Sequence, residues 1–281
     1  MSLVSIKKNI FKDYLLVFLA LVFVGFCLFP IYIMITTSFK SEKDIFAWEH
    51  VWFFKPTIQS VYNAFFIFGG KSVTSFILNS LITTFTSTFL AVLFGAMAAY
   101  GFSRYKFKGS KHIAFYILST RFAPPVAFII PIYLMVNFFN LLDTHFTLII
   151  IYTSMNLSLS VWILRGYFNE IPIEIEEAAY IDGYTRVEIF WKVCIPLIKP
   201  GLITTAILCS IFSWNEFLFA VILTQRDAST IPVYLASFQD SMGLAWGEFM
   251  AVGAMAVMPI LIFTIILQKH LVRGLTFGAI R

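Results

Sequence analysis

The strongest constraint on this sequence is a series of long apolar segments. Several continue for about 20 residues without a charged side chain, the length a helix needs to cross the hydrocarbon core of a bilayer. Charged residues make up only 12% of the chain, against about 25% in soluble domains. A transmembrane β-barrel would instead show alternating segments of about 10 residues. The sequence therefore predicts an all-α polytopic membrane protein.

Six spans can be placed along the chain. They are about Tyr14–Ser38, Val73–Gly101, Ile113–Asn137, Phe146–Leu164, Gly201–Thr224 and Glu248–Gln268. Residues 1–72 hold the first helix and an outer segment, and residues 73–281 hold the rest. The outer segment 39–72 is long enough for short helices at the membrane surface, and its Trp48 and Trp52 suit the interface with water.

The basic residues predict the orientation of these spans. With both termini in the cytoplasm, 14 of the 20 Lys and Arg residues fall on the cytoplasmic side and five on the outer side, with Arg121 inside the third span. The loop 104–112, RYKFKGSKH, has four bases and no acid. Because cytoplasmic loops carry an excess of Lys and Arg, we expect both termini in the cytoplasm.

The sequence predicts no covalent chemistry. The three cysteines lie far apart, and the four histidines are scattered without a metal-binding spacing. Gly70, Lys71 and Ser72 match the end of a P-loop, but Phe65 stands where that pattern needs a glycine. The basic residues lie at helix ends and form no patch for nucleic acid. We expect no catalytic residue, metal, cofactor or nucleic-acid partner in this chain.

A charged segment, residues 166–200, separates the fourth and fifth spans. Pro172 suits the first turn of a helix, where its missing N–H costs nothing. Three acids follow near that end, where the helix dipole favours negative charge: Glu174, Glu176 and Glu177. Ala178 and Ala179 are small, so another surface could approach this helix closely.

A second short helix is predicted after the first. Asp182–Gly183 should break the first helix, and Thr185 with Glu188 is the pattern of a capping box that opens another. Pro196 and Pro200 should limit the second helix. We expect an exposed face that contains Ile181, Tyr184, Phe190 and Trp191. Such a face favours docking into the groove of a partner over lying flat in the headgroups, which usually requires more bases than acids.

The charged segment also contains a gapped motif. Glu177–Ala178–Ala179 is followed by Gly183 and then by Val193–Cys194–Ile195–Pro196. This spacing resembles the EAA signature of ABC importer permeases, with Val in place of Ile and Ile in place of Leu. Four other stretches resemble the second permease subunit of maltose-type sugar importers: PPVAFIIPIYLM (124–135), SWNEFLFAVILT (213–224), IPVYLASFQ (231–239) and LVRGLTFGAIR (271–281).

The resemblance covers most of residues 73–281 and implies a type I ABC importer permease fold in a bacterial inner membrane. It implies three kinds of partner: a second permease subunit, a dimer of ATP-binding subunits that holds ATP and magnesium, and an extracytoplasmic solute-binding protein. The residues it implies in coupling to the ATPase are Glu176, Glu177, Ala178, Ala179, Asp182, Gly183, Tyr184 and Pro196. The tail residues implied to contact the same dimer are Arg273, Gly274, Leu275 and Thr276.

The substrate that the resemblance implies is a maltose- or trehalose-like disaccharide, a longer oligosaccharide or glycerol phosphate. The candidate pathway residues are Trp214, Asn215, Glu216, Asn79 and Ser80. An indole can stack on a sugar ring while amide and carboxylate oxygens bind hydroxyls, but polar groups in spans also form helix–helix hydrogen bonds. Arg121 either lines the path or extends to the interface. The outer loop 226–248 either contacts the binding protein or only connects two spans.

Two other classes of function are the alternatives. An ion-coupled secondary transporter would be expected to show discontinuous spans and intramembrane carboxylates, and of these only Glu216 is evident in the sequence. A membrane enzyme would need clustered titratable residues near one face, which the sequence does not suggest. The secondary transporter also leaves the charged segment unexplained.

Overall fold

The structure is a computed structural model that describes residues 10–66, 72–105, 107–240 and 243–276, with side chains for 14–65, 72–105, 107–238 and 245–266. Several features used above lie outside the described residues: Lys7, Lys8, Gly70, Lys71, Lys106 and Arg281. The backbone of the predicted tail contact, 273–276, is helical, but its side chains are also outside the described part.

Helices make up most of the described chain. In chain order they are α1 Ile10–Ser38, α2 Glu42–Ile45, α3 Gln59–Phe66, α4 Val73–Arg104, α5 Ser110–Ser119, α6 Ile129–Phe138, α7 His145–Glu170, α8 Ile173–Ile181, α9 Arg186–Glu188, α10 Ile195–Leu197, α11 Lys199–Trp214, α12 Leu218–Leu223, α13 Ile231–Ala236 and α14 Trp246–Thr276. Two 3₁₀ turns, Thr120–Phe122 and Pro125–Phe128, lie between α5 and α6, and a π-helical turn, Ile189–Cys194, lies between α9 and α10. One antiparallel pair joins β1 Gln239–Asp240 to β2 Gly243–Leu244.

Four described helices are long and apolar enough to cross a membrane without interruption, and the number rises to six if each of two bent helix pairs counts as one span. The continuous helices are α1, α4, α7 and α14. The expected third span is bent by 94° between its two halves, 110–122 and 125–138. The second bent pair is residues 186–197 with 199–214. The expected fifth span is interrupted at another point, because α11 ends at Trp214 and α12 starts at Leu218.

The described residues form two compact units, one within residues 1–70 and 238–255 and the other within residues 71–237 and 256–281. In the first unit, the outer segment forms α2 and α3, as the sequence predicts. The Asn63 side chain donates to Glu248 at 2.9 Å. A Cβ on Gly247 would lie 2.3 Å from the Ser60 hydroxyl, so a glycine lets the backbone of α14 approach α3 there.

The second unit is built around α4, α7 and α11. A Cβ on Gly95 of α4 would lie 2.4 Å from Cβ of Ser160 on α7, so these two helices come into close contact through small residues. Ser87 and Thr88 of α4 lie within hydrogen-bond distance of Ser213 and Ser210 of α11, respectively. Small and polar side chains, as expected for helices that associate in lipid, hold this core together.

The charged segment folds much as predicted. α8 follows Pro172, Gly183 adopts a φ of +94° at the turn, and the capping box of Thr185 with Glu188 is present. The second helix ends soon after Pro196, and the chain then bends by 77° into α11. The expectation for Phe190 is wrong: its ring is buried against Tyr100 and Phe168, because it lies on the inner face of the π-helical turn.

Candidate functional site

A cavity of about 590 Å³ lies where the two broken helices meet. Its volume is within the range of pockets that hold small organic ligands. Most of its wall is apolar, and its polar and charged lining residues are Thr120, Arg121, Tyr152, Ser154, Asn156, Ser158, Ser213 and Glu216. They come from the 3₁₀ turn after α5, from α7, from α11 and from the break between α11 and α12.

The break before α6 places Arg121 in this cavity. Pro124 and Pro125 follow the turn that holds Arg121 and prevent a continuous helix. The Arg121 guanidinium donates to the carbonyl of Met155 at 3.0 Å and lies 4.3 Å from the ring centre of Phe212. Within the described part of the chain, no carboxylate lies within 4.0 Å of it. This cation is therefore held in place by a carbonyl and a ring while its charge remains unpaired.

The second break supplies Glu216. Its carboxylate accepts from the backbone N–H groups of Phe219 at 2.9 Å and Ala220 at 3.2 Å, at the start of α12. Helix N-termini favour a negative charge, so this arrangement stabilises the carboxylate inside the protein. Glu216 is half-buried and lines the same cavity as Arg121.

Two buried polar side chains on α7 also line the cavity. Asn156 donates to Ser213 at 2.8 Å, but its Oδ1 has no hydrogen-bond partner among the described residues. The hydroxyl of Tyr152 lies beside the carboxylate of Glu216. An unsatisfied buried polar atom costs free energy, and in native proteins such atoms tend to mark functional sites or sites of bound water. The cavity wall therefore has unused hydrogen-bonding capacity.

The cavity lies well inside the span formed by α7. Met155, which binds Arg121, is ten residues after His145, so it lies roughly 15 Å along a helix of 26 residues. The Arg121 side chain is thus far from both ends of this helix. Charged side chains at such depth are costly and in membrane proteins usually serve a function.

The structure separates the predicted pathway residues. Of Trp214, Asn215 and Glu216, only Glu216 lines the cavity. Trp214 is buried, and the Asn215 side chain is exposed and donates to the carbonyl of Ile211 in its own helix at 2.8 Å. Sequence reasoning did not identify Tyr152 or Asn156 as cavity residues, because single polar residues in an apolar helix carry no spacing signal. The Pro124–Pro125 pair was a usable signal for the helix break that places Arg121.

Asn79 and Ser80 lie away from this cavity, at the opposite part of α4 from Arg104. The Asn79 amide donates to the carbonyls of Asp227 and Ser229 at 2.8 and 2.9 Å, and its oxygen lies 2.7 Å from a ring nitrogen of His145. Ser80 accepts from the backbone N–H of Ile231 at 2.8 Å. Both residues thus hold the 227–231 segment against α4.

The same segment is also held by Asp143, a carboxylate that no sequence pattern singles out. Asp143, between α6 and α7, has a φ of +57°, and its oxygens accept from four successive backbone N–H groups at 2.9–3.1 Å. These donors belong to residues 225–228. Burial alone would raise the pKa of Asp143, but the backbone donors outweigh it and hold the pKa below its ordinary value.

The residues implied in ATPase coupling fall into two groups. Glu176 and Ala179 are buried on the inner face of α8. The others are exposed: Glu177, Ala178, Asp182, Gly183, Tyr184 and Pro196. Ile181 and Trp191 add exposed apolar surface, 84% and 47% exposed, to the same element. This surface has the mixed charged and apolar character of a docking face, whereas the inner group is occupied with contacts to the rest of the unit.

Glu176 forms the main buried ion pair of the described chain. Its Oε1 lies 2.5 Å from Nε of Arg104, and its Oε2 accepts from the Tyr100 hydroxyl at 2.9 Å. Arg104 also donates to the carbonyl of Ile171 at 3.1 Å. Within the described ranges, no group of three His, Cys, Asp or Glu side chains could hold a metal ion.

Comparison with known proteins gives one matching family model, "Binding-protein-dependent transport system inner membrane component", over residues 91–277. Among curated proteins, the trehalose/maltose transport system permease protein MalG of Thermococcus litoralis is 32% identical over 277 residues, which cover 98% of this chain and 99% of that protein. The trehalose transport system permease protein SugB of Mycobacterium tuberculosis is 34% identical and covers 92% of this chain and 94% of its own length. The diacetylchitobiose uptake system permease protein DasC of Streptomyces coelicolor is 33% identical, with 92% and 93% covered.

A solved structure shows the same fold. A chain from the crystal structure of a bacterial ABC transporter involved in the import of the acidic polysaccharide alginate has a TM-score of 0.73 and 26% identity, and the match covers 96% of this chain and 99% of that one. A second chain, from an alginate ABC transporter in complex with an alginate pentasaccharide-bound periplasmic protein, is 15% identical with a TM-score of 0.60. The second match supports the fold alone.

Proposed function

Because the chain belongs to the family of binding-protein-dependent transport system inner membrane components, we propose that the cavity at Arg121 and Glu216 is its part of the path by which a sugar crosses the membrane. The chain is a permease subunit of an ABC importer, with a type I permease fold and several spans in the inner membrane. Its relatives are carbohydrate permeases. The family favours an importer over the ion-coupled secondary transporter.

The observation that supports this path is the meeting of two broken helices at one cavity. Transporters commonly bind solutes near the middle of the bilayer where helices are discontinuous, because the freed backbone and polar groups can reach the solute. Broken spans were expected of the secondary transporter. They occur here in an importer permease, so they indicate a solute path and do not distinguish the two classes.

The solute would be a di- or oligosaccharide. The relatives named for trehalose, maltose and diacetylchitobiose cover more than nine-tenths of this chain. The apolar wall suits the faces of sugar rings, and the charges of Arg121 and Glu216 with the hydroxyl of Ser154 suit sugar hydroxyls. We place trehalose and maltose first as substrates, ahead of longer oligosaccharides and glycerol phosphate.

The energy for transport would come from partner chains. A second permease would close the open side of the cavity, a dimer of ATP-binding subunits would hold ATP and magnesium, and an extracytoplasmic binding protein would deliver the sugar. The exposed face of α8 with Tyr184 and Trp191 would dock on the ATP-binding dimer in the cytoplasm, the side on which we place both termini.

The test is uptake by the assembled importer. The chain is tagged, purified from its native membranes with its partners, and reconstituted in liposomes with its binding protein, and uptake of radiolabelled trehalose and maltose is measured with and without ATP. For Glu216→Gln, we expect the KM for the sugar to rise about tenfold, since a hydrogen bond to a charged group is worth about 1.5–3 kcal/mol.

The matched control is Ser119→Ala, which removes a hydroxyl bonded only to its own helix one residue before the cavity lining begins. It should leave the KM within about twofold, as a surface substitution does. If neither Glu216→Gln nor Arg121→Gln alters the KM in a working importer, the cavity is not the path. If the wild-type assembly takes up neither sugar with ATP, the substrate class is wrong.

A further inference from the structure

Helix α4 is attached at both of its ends to segments that the proposed function places on opposite sides of the membrane. It runs without a break for 32 residues and contains no proline. From Asn79 to Arg104 it covers about 37 Å at 1.5 Å per residue, more than the roughly 30 Å of the hydrocarbon core. Such a helix can transmit a displacement along its axis, provided that each end is firmly attached.

At one end, the attachment is to α8. Tyr100 and Arg104 are four residues apart and therefore lie on the same face of α4. Together they bind both carboxylate oxygens of Glu176, at 2.9 and 2.5 Å. Arg104 also holds the carbonyl of Ile171, just before α8 begins, so α4 is bound both to α8 and to the chain that leads into it.

This attachment is shielded from solvent. The side chains of Arg104 and Glu176 are 10% and 4% exposed. Tyr100 packs against Phe168 and Phe190 with ring centres 5.4 and 5.1 Å apart, which places the π-helical turn against the same joint. Because this contact is short, shielded from water and made by two side chains of α4, α8 has little freedom to move while α4 stays in place.

At the other end, the attachment is to residues 227–231. Asn79 binds two carbonyls of this segment and Ser80 binds its Ile231 N–H. Between the two ends, Ser87 and Thr88 contact α11 close to Ser213, which lines the cavity. A shift of α4 would therefore reach both the cavity wall and the 227–231 segment.

We propose that Arg104, Tyr100 and Glu176 form the joint through which α8 moves α4 during transport, and that Asn79 and Ser80 pass this movement to residues 227–231. Glu176 is then a positioning residue that never touches the ATP-binding subunit, in contrast to the exposed Glu177 beside it. The proposal rests on the proposed function, since it assigns α8 to the docking face.

The test measures sugar molecules taken up per ATP hydrolysed, in liposomes that contain the whole importer and radiolabelled trehalose or maltose. For Glu176→Gln we expect this ratio to fall roughly tenfold, a typical size for coupling between sites, while the ATP-binding subunits still co-purify. Tyr100→Phe removes one hydroxyl and keeps the ring, so it should fold and give a smaller fall. Arg104→Lys keeps the charge and should restore most of the ratio lost in Arg104→Met.

Two further variants sharpen the result. Ser119→Ala removes a hydroxyl that donates within its own helix, away from the docking element, and should change the ratio by less than about twofold. Asn79→Ala should lower the ratio without raising the KM, whereas contact with the sugar would raise the KM. The proposal is overturned if Glu176→Gln and Tyr100→Phe keep the wild-type ratio, or if Glu176→Gln loses the ATP-binding subunits. A wild-type importer that shows no ATP-driven uptake would instead overturn the proposed function.

Discussion

Glu176 and Asp143 are two carboxylates that each hold a segment of the chain, but they do so in different ways. Glu176 is bound by two side chains, Arg104 and Tyr100, in a nearly dry site. Asp143 is bound by four backbone N–H groups at a half-exposed turn. The first contact depends on three particular residues, and the second depends on one residue and on a backbone conformation.

The difference matters because the two contacts should fail differently. Removing one partner from a buried pair leaves an uncompensated charge, whereas removing Asp143 leaves N–H groups that water can reach. We therefore expect the joint at Arg104 to be sensitive to single substitutions and the turn at Asp143 to be moderately sensitive. An exposed ion pair should be the least sensitive of all.

The largest effect is expected for Arg104→Met. It should lower the free energy of unfolding by about 3–5 kcal/mol, because Glu176 is left buried without its cation. Unfolding in detergent can be followed on heating by the reaction of a thiol-reactive fluorophore with Cys194 and Cys209, which are buried, above the baseline given by the exposed Cys27.

The matched variant is the double substitution Arg104→Met with Glu176→Met. Replacing both members of a buried pair with apolar residues is often neutral or stabilising. The midpoint temperature of unfolding of the double variant should therefore return close to that of the wild type. If the single and double variants are equally destabilised, packing and not charge determines the stability of this joint, and the contrast with Asp143 is lost.

A smaller effect is expected for Asp143→Ala, about 1–2 kcal/mol, since the four N–H groups gain water in place of the carboxylate. The backbone donors hold the folded pKa of Asp143 below its unfolded value. Its contribution is therefore fully present above the unfolded pKa, about 3.9, and is lost as the pH falls through the lower folded pKa. The difference in midpoint between wild type and variant should shrink over this acidic range.

The control for this prediction is Gln225→Ala, which changes a side chain of the same turn but leaves its backbone N–H in place. It should leave the midpoint and its pH dependence as in the wild type. Equal destabilisation by Gln225→Ala and Asp143→Ala would mean that side-chain contacts, and not the carboxylate with its backbone donors, stabilise this turn.

The sequence was sufficient to predict much of the fold. The apolar runs predicted α1, α4, α7 and α14, and local signals at Pro172, Gly183 and Thr185 predicted the two short helices of the charged segment. These features are local, so the chemistry of a few neighbouring residues determines them. The family resemblance to sugar importers was confirmed by the family model and by the relatives.

The cavity and the joints were harder to predict because they depend on which face of a helix points inward. Glu176 and Glu177 are adjacent in a motif, yet one is buried and the other exposed. The prediction for Phe190 failed for the same reason, since a π-helical turn shifts the faces of α9 and α10. The role of Asp143 could not be predicted, because its donors are backbone N–H groups, which are present whatever side chains stand at residues 225–228.

The smallest effect is expected for Lys192→Gln, and it sharpens the contrast with the buried joint. Lys192 and Glu188 are four residues apart, with their charged atoms 2.8 Å from each other and side chains 59% and 39% exposed. Water and salt screen such a pair, so the unfolding midpoint should not move beyond the scatter of the measurement, at low or high salt. A shift comparable to that of Arg104→Met would show that burial does not determine the importance of these ion pairs, and the distinction between the joint and the docking surface would have to be abandoned.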